Sequence, residues 1–332
     1  MAKVKHKKGF FIELNMQNPP RPKPQMWYVR KADKSSIFEH TVCGWEFTEN
    51  VREDSLGKVE GYSKELNFRM SFIPEKGHYW VSRDFEGQEL RILANVAMEE
   101  TLIKTFLEDG DPHEATAITL WGKENYSKEK RKAAKAINFG LIYGKSAKSF
   151  AYDLNVSEEE AQKYVDDYFN KLPNVKRFLN SCVREATQTK MISNIYGRKR
   201  RLHKYIDRWG NLEGRGKRIC YNFPIQSMGA EVTKMALIKV YYGIICNKDY
   251  EGKVYFRNTI HDEINTSVDF SVIEDVVKKL GDLMTHNIPN TPVPIITGLE
   301  IGHSMGLTWK FKQDPITLKL TPIIYSSIDD EN

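Results

Sequence analysis

Arg131, Lys135, Phe139 and Tyr143 recur every fourth residue, and that spacing constrains the chain more tightly than any other feature of it. At 3.6 residues per turn, a step of four advances one turn plus about 40°. The four side chains therefore form a slowly rotating stripe along one face of a helix. Ala133, Ala134 and Ala136 favour the helix, and Gly144 is a natural stop. Two cations followed by two aromatics suit a ligand with phosphates at one end and a ring system at the other. An amphipathic helix with a charged, solvated face has the same pattern, so the stripe alone leaves both readings open.

The 332 residues can bury the core of one or two domains, and 40% hydrophobic with 28% charged residues is an ordinary globular composition. A net charge of +6 suits a polyanionic partner without requiring one. Cys43, Cys182, Cys220 and Cys246 are far apart with no C-x-x-C pair, which argues against a thiolate zinc site and a disulfide framework. Reduced thiols in a cytoplasmic compartment follow as the expectation, an organellar matrix being the alternative. No apolar run is long enough to span a membrane, and the basic start is followed by too few apolar residues for a signal peptide.

Along the chain, residues 1–25 read as a basic, proline-rich arm and residues 26–68 as an irregular insertion with no clear period, short strands within it being one reading. A strand over 78–83 ends at Asp84, and a helical pattern runs from 86 to about 107. Further helices are expected at 113–122 and 128–143, and from a cap at Ser157 with Glu160 at the box position. Pro173 divides the next two helices. A long helix is predicted from about 217 to 246 with a kink near Pro224, then a strand at 254–260, a turn at His261-Asp262-Glu263 and a returning strand at 264–268. A helix at 271–286 and a strand at 293–301 follow, and the tail from 310 carries no readable pattern.

Asp84 and the Asp262-Glu263 pair each sit beside a strand-like run, where a carboxylate can project into a cleft. Carboxylates from separate strands suit a pair of Mg²⁺ ions, although turn acids are common. Arg218, Asn222 and Gln226 repeat at i, i+4, i+8 and share a helix face that could reach the groove of a duplex, or could simply flank the break at Pro224.

Together these pieces resemble family A DNA polymerases. Asp84-Phe85-Glu86-Gly87-Gln88-Glu89-Leu90-Arg91 is similar to motif A, D-Y-S-Q-I-E-L-R. The stripe matches motif B, R-x-x-x-K-x-x-x-F-G-x-x-Y-G, without a gap, and Ile260-His261-Asp262-Glu263 is similar to motif C, V-H-D-E. Asp111-Pro112-His113 resembles the family's D-I-H, and Arg218 through Gln226 its R-x-x-x-N-x-P-x-Q.

The resemblance implies an α+β right-hand architecture: an antiparallel palm over 69–100 and 211–309, helical fingers over 101–210, and a tail at 310–332. It implies that Asp84 and Asp262 carry two Mg²⁺ ions (Mn²⁺ as a substitute), with Glu263 a lesser contributor. His113, Arg131 and Lys135 would hold the incoming dNTP, Phe139 would pack on its sugar and base, Tyr143 would sit near the templating position, and Glu89 would exclude ribonucleotides. Arg218, Asn222, Gln226 and His261, with Asn15, Gln17 and Asn18 of an N-L-Q-N-like stretch, would touch primer-template DNA.

Three departures stand out. Glu86-Gly87-Gln88 replaces S-Q-I, with a polar residue at a usually apolar position. Roughly 40 extra residues follow Asn18 and have no family role. Little precedes the first motif, which leads to the expectation that the thumb is lacking and that a protein partner supplies it, a 3′-5′ exonuclease being a second candidate contribution of that partner. A single-subunit RNA-polymerase-like enzyme and a non-catalytic polymerase-derived subunit are the competing classes. Glu89 and Phe139 speak against the first, and retention of both aspartates with Arg131 and Lys135 against the second.

Overall fold

The computed structural model describes residues 24–32, 40–49, 54–62 and 68–324, with the backbone of two short strands before them. In chain order these are β1 (Ala2–Lys5), β2 (Phe11–Leu14), β3 (Pro24–Lys31), β4 (Thr41–Val42), β5 (Trp45–Thr48), β6 (Gly57–Tyr62) and β7 (His78–Phe85). Helices follow as α1 (Gln88–Ala97), α2 (Glu100–Leu107), α3 (Pro112–Trp121), α4 (Lys128–Ile142), α5 (Ala147–Leu154), α6 (Glu158–Lys171) and α7 (Pro173–Thr189). The remainder is β8 (Met191–Ser193), β9 (Lys199–Arg201), α8 (Gly214–Val240), β10 (Val254–Ile260), β11 (Glu263–Asp269), α9 (Ile273–Met284), β12 (Thr297–Ser304), β13 (Leu307–Gln313) and β14 (Leu320–Pro322). No described helix is long and apolar enough to cross a membrane.

The chain divides into two compact units, one of residues 1–86, 233–285 and 296–332, the other of 87–232 and 286–295. The first is built on an antiparallel sheet of order β10-β11-β7-β12-β13-β6-β3-β5-β4, with β14 paired to β13. Helix α9 lies against β7 and β11 and buries Val276, Val277, Leu280 and Met284. Their spacing of one, three and four residues is that of a helix with one apolar face.

Residues 26–68, read as an insertion that could hold short strands, contain β4 to β6 and most of β3, and these continue the same sheet. The apolar run Met26-Trp27-Tyr28-Val29 hides the alternation, but Trp27 and Val29 are fully buried while Met26 is exposed. Trp27 meets Trp309 of β13 edge-on at 5.5 Å, and Phe47 stacks on Trp309 at 4.4 Å. The tail is also ordered by this core: Trp45 Nε1 donates to the carbonyl of Leu320 in β14.

The second unit is mostly helical. The helix predicted from 86 to 107 is two helices, because Met98 adopts a left-handed φ of 50° and its N–H turns back to the carbonyls of Ala94 and Asn95. The Asn95 side chain exchanges two hydrogen bonds with the backbone of Val293, and Arg91 donates to the carbonyl of Pro294, which ties 286–295 to α1. Ser157 caps α6 and Pro173 opens α7, as the sequence indicates. Helix α8 runs unbroken through Pro224 and ends in a π turn at Tyr241–Ile245.

Candidate active site

The acidic candidates lie in the sheet unit. Strand β7 is central, between β11 and β12, and carries Asp84 near its end. In the antiparallel register Asp84 stands directly opposite Glu263, the first residue of β11. Opposed residues of neighbouring strands project on the same sheet face. Asp262 precedes Glu263 in the two-residue turn between β10 and β11, where Ile260 pairs with Glu263 and His261 adopts a φ of 55°. Asp84 and Asp262 are partly accessible, whereas Glu263 is buried. The Glu263 carboxylate accepts from Ser82 Oγ at 2.8 Å and lies 3.9 Å from the Arg69 guanidinium. Glu263 is thus held inside the sheet by its neighbours. Among the described residues no three His, Cys, Asp or Glu gather closely enough to hold a metal ion by themselves.

The cationic candidates lie in the helical unit. Ser127 caps α4 by accepting from the Lys130 N–H, and the helix buries Ala134, Ile137, Asn138 and Leu141. Arg131, Lys135, Phe139 and Tyr143 stay on the accessible side. Gly140 is required by packing, since a Cβ there would lie 2.4 Å from the Phe150 ring of α5. Gly144 ends the helix at φ 67°, and a Cβ there would come within 2.7 Å of Arg218 on α8. This close approach brings Tyr143 to Gln226, whose amide lies 3.4 Å from the phenol oxygen. The phenol donates to Glu89 at 2.7 Å, and burial together with that carboxylate pushes Tyr143 up to about 12.

His113 opens α3 beside this row. Asp111 caps the helix through the N–H groups of His113 and Glu114, with Pro112 in the first turn where its missing N–H costs nothing. Arg131 Nε also donates to Asp111 at 2.7 Å. Burial opposes ionisation of Asp111, but Arg131 and the two amides outweigh it and hold the carboxyl below its usual range. The buried amide of Asn138 donates to His113 Nδ1 at 3.2 Å and to Thr116 Oγ1 at 3.0 Å. That contact leaves the imidazole proton on Nε2. Burial pushes His113 down to about 4; Lys135 and Arg131 add to this and Asp111 opposes it. The His113 ring also sits 5.6 Å from that of Phe139.

Tyr143, Arg218, Asn222 and Gln226 line one pocket of about 360 Å³, together with Arg200 of the basic run 198–204 and with Arg215, which the sequence pattern alone did not single out. Gln88, the polar departure in motif A, is buried against α8 at Gly229, where a Cβ would lie 2.5 Å from Gln88 Oε1. Asn138 was also missed; its only sequence signal is an amide within an apolar run. Asn15, Gln17 and Asn18 lie outside the described residues.

The family model described as DNA polymerase family A matches residues 55–307. The chain belongs to this family. DNA polymerase I of Caldicellulosiruptor bescii is 32% identical over 250 residues, covering 75% of this chain and 28% of that protein. DNA polymerase I of Streptococcus pneumoniae strain R6 is 33% identical over 245 residues, 73% of this chain and 27% of the relative. The chain thus spans little more than a quarter of these family A relatives. Among solved structures, the POL domain of Pol1 from M. smegmatis, in complex with DNA primer-template and dNTP, is similar with a TM-score of 0.64 and 26% identity, over 72% of this chain and 42% of that one. The α+β architecture with an antiparallel sheet is common ground with that family A domain.

Proposed function

We propose that this chain carries residues of the nucleotidyl-transfer site of a template-directed DNA polymerase, with 69–100 and 211–309 as palm and 101–210 as fingers. The observation that supports it most is the β7–β11 register, which sets Asp84 opposite Glu263 and so brings the neighbouring Asp262 to the same end of adjacent strands. Two carboxylates on adjacent strand ends suit Mg²⁺, which takes one or two protein carboxylates and completes its shell with water and substrate phosphate oxygens. Asp84 and Asp262 would hold two such ions. Bound there, they would supply Lewis-acid stabilisation of the charge that develops in phosphoryl transfer.

The remaining work falls to the chain's own side chains. Arg131 and Lys135 offer the planar fork and the point charge that bind a triphosphate. His113, neutral and with its tautomer set by Asn138, presents Nε2–H as a donor to a phosphate oxygen. Phe139 offers a ring face to the sugar and base. Glu89, tied to Tyr143, occupies space that a 2′ hydroxyl would need and so favours deoxynucleotides. Arg218, Asn222 and Gln226 face the primer-template. The primer 3′ hydroxyl attacks the α-phosphate of a dNTP, a new P–O bond forms, its proton is lost, and pyrophosphate departs.

Primer extension with the intact chain and with Asp84→Ala and Asp262→Ala tests this reading. Each substitution should abolish measurable incorporation while circular dichroism stays unchanged. Equal incorporation by a folded mutant would refute the metal assignment.

A further inference from the structure

Residues 198–218 contain nine lysines and arginines against two acids, a larger positive balance than the net +6 of the entire chain. Strand β9 exposes all three of its cations, Lys199, Arg200 and Arg201. Arg200 and Arg215 line the pocket that also holds Tyr143 and Gln226. From that pocket the Arg215 guanidinium lies 5.6 Å above the ring of Tyr205. Tyr205 adjoins the root of a loop closed by the Ile206–Leu212 bridge, with Leu212 packed in the core beside Leu202 and Cys220.

The tip of this loop is a built feature. The Asp207 carboxylate accepts from the N–H groups of Trp209 and Asn211, and those bonds hold its pKa below the ordinary range. The Asp207 N–H donates to the Asn211 carbonyl, and Gly210 turns the chain at a φ of 88°. The loop presents Trp209, which is 71% exposed, with the Arg208 guanidinium stacked 4.0 Å from its ring. With one guanidinium stacked on it and 71% of it exposed, the indole offers an aromatic face to a ligand ring in a strongly basic setting.

We propose that Trp209, backed by Arg208, is a stacking platform for unpaired bases of the template strand, whose phosphates run along β9. The inference rests on the polymerase reading and extends it to a site beyond the reacting end. Bases within a duplex already stack on one another, so an aromatic face on an arginine-rich track selects single-stranded DNA. Guanidinium groups meet phosphate oxygens in paired hydrogen bonds, which suits Arg200, Arg201 and Arg215 to the backbone.

The test uses the full chain with labelled primer-templates that carry either one unpaired template nucleotide or about ten, a span within the usual single-strand site size. Trp209→Ala should weaken binding of the long overhang roughly tenfold, as loss of one stacked base predicts, and leave the short one within about twofold. Trp209→Phe should restore most of the difference. Equal affinity of Trp209→Ala and wild type for the long overhang, or equal weakening on both substrates, overturns the platform. Single-nucleotide incorporation on the short overhang reads the polymerase assignment separately. Should the wild type fail there, Trp209-dependent binding of an oligothymidylate still decides the platform by itself.

Discussion

The Tyr143 phenol, at the end of the cationic helix, is hydrogen-bonded to the Glu89 carboxylate of α1 at 2.7 Å. The bond joins one residue of the motif B stripe to one of motif A and fixes where the carboxylate sits. Glu89→Ala should therefore raise ribonucleotide incorporation relative to deoxynucleotide by at least about tenfold in kcat/KM, the scale of small steric discriminations. Tyr143→Phe keeps the carboxylate but frees it, and should give a smaller shift in the same direction. An unchanged sugar preference in Glu89→Ala would count against its role in sugar selection.

Glu263 differs from its neighbour Asp262 in what surrounds it. Its carboxylate is buried against Ser82 and Arg69, so Glu263→Ala removes the Ser82 hydrogen bond and the negative charge beside Arg69. Loss of a buried hydrogen-bonded acceptor costs about 1–3 kcal/mol. Glu263→Ala should lower the melting temperature, whereas Asp262→Ala, at a partly accessible carboxylate, should lower it less while removing incorporation. Thermal melts of both variants side by side separate the two roles, and equal melting temperatures would sink the distinction.

His113 gives a pH dependence with a defined sign. The unfolded chain takes up the imidazole proton near 6.5, while the folded chain resists it down to about 4. Between these values the unfolded state binds more protons, so this contribution to stability is intact above 6.5 and is lost as pH falls toward 4. His113→Gln should flatten that part of the profile. The check is the change in melting temperature between pH 7 and pH 5, which should be smaller in His113→Gln than in wild type.

Trp309 lies between Trp27 and Phe47, which come from strands the sequence left undefined. Trp309→Ala should destabilise the chain by about 3–5 kcal/mol, the usual cost of removing a buried aromatic. Chemical denaturation would measure it. A loss below about 1 kcal/mol would show that β3 and β5 contribute little to the core.

The helix carrying Arg131 to Tyr143 was legible because four-residue spacing has one structural meaning. The strand ending at Asp84 and the turn at Asp262 were legible because apolar runs stop there. Strand β3 was not, since Met26 and Tyr28 are as apolar in type as the buried Trp27 and Val29. The break at Met98 was hidden because a left-handed φ in a non-glycine residue leaves no compositional mark. Asp111 as partner of Arg131, Asn138 as partner of His113, and the gathering of Arg200 and Arg215 beside Arg218 all depend on tertiary approach. Gly144 was readable as a helix stop, but its second role, admitting Arg218, was not.

Because Trp27 and Phe47 roof over Trp309, the early strands are no detachable ornament. A trimmed gene beginning near the strand that bears Asp84 would encode a protein with Trp309 and Phe311 bared to solvent, a sticky plate that invites clumping. Anyone transplanting this sheet into another scaffold will have to carry both sequence blocks together.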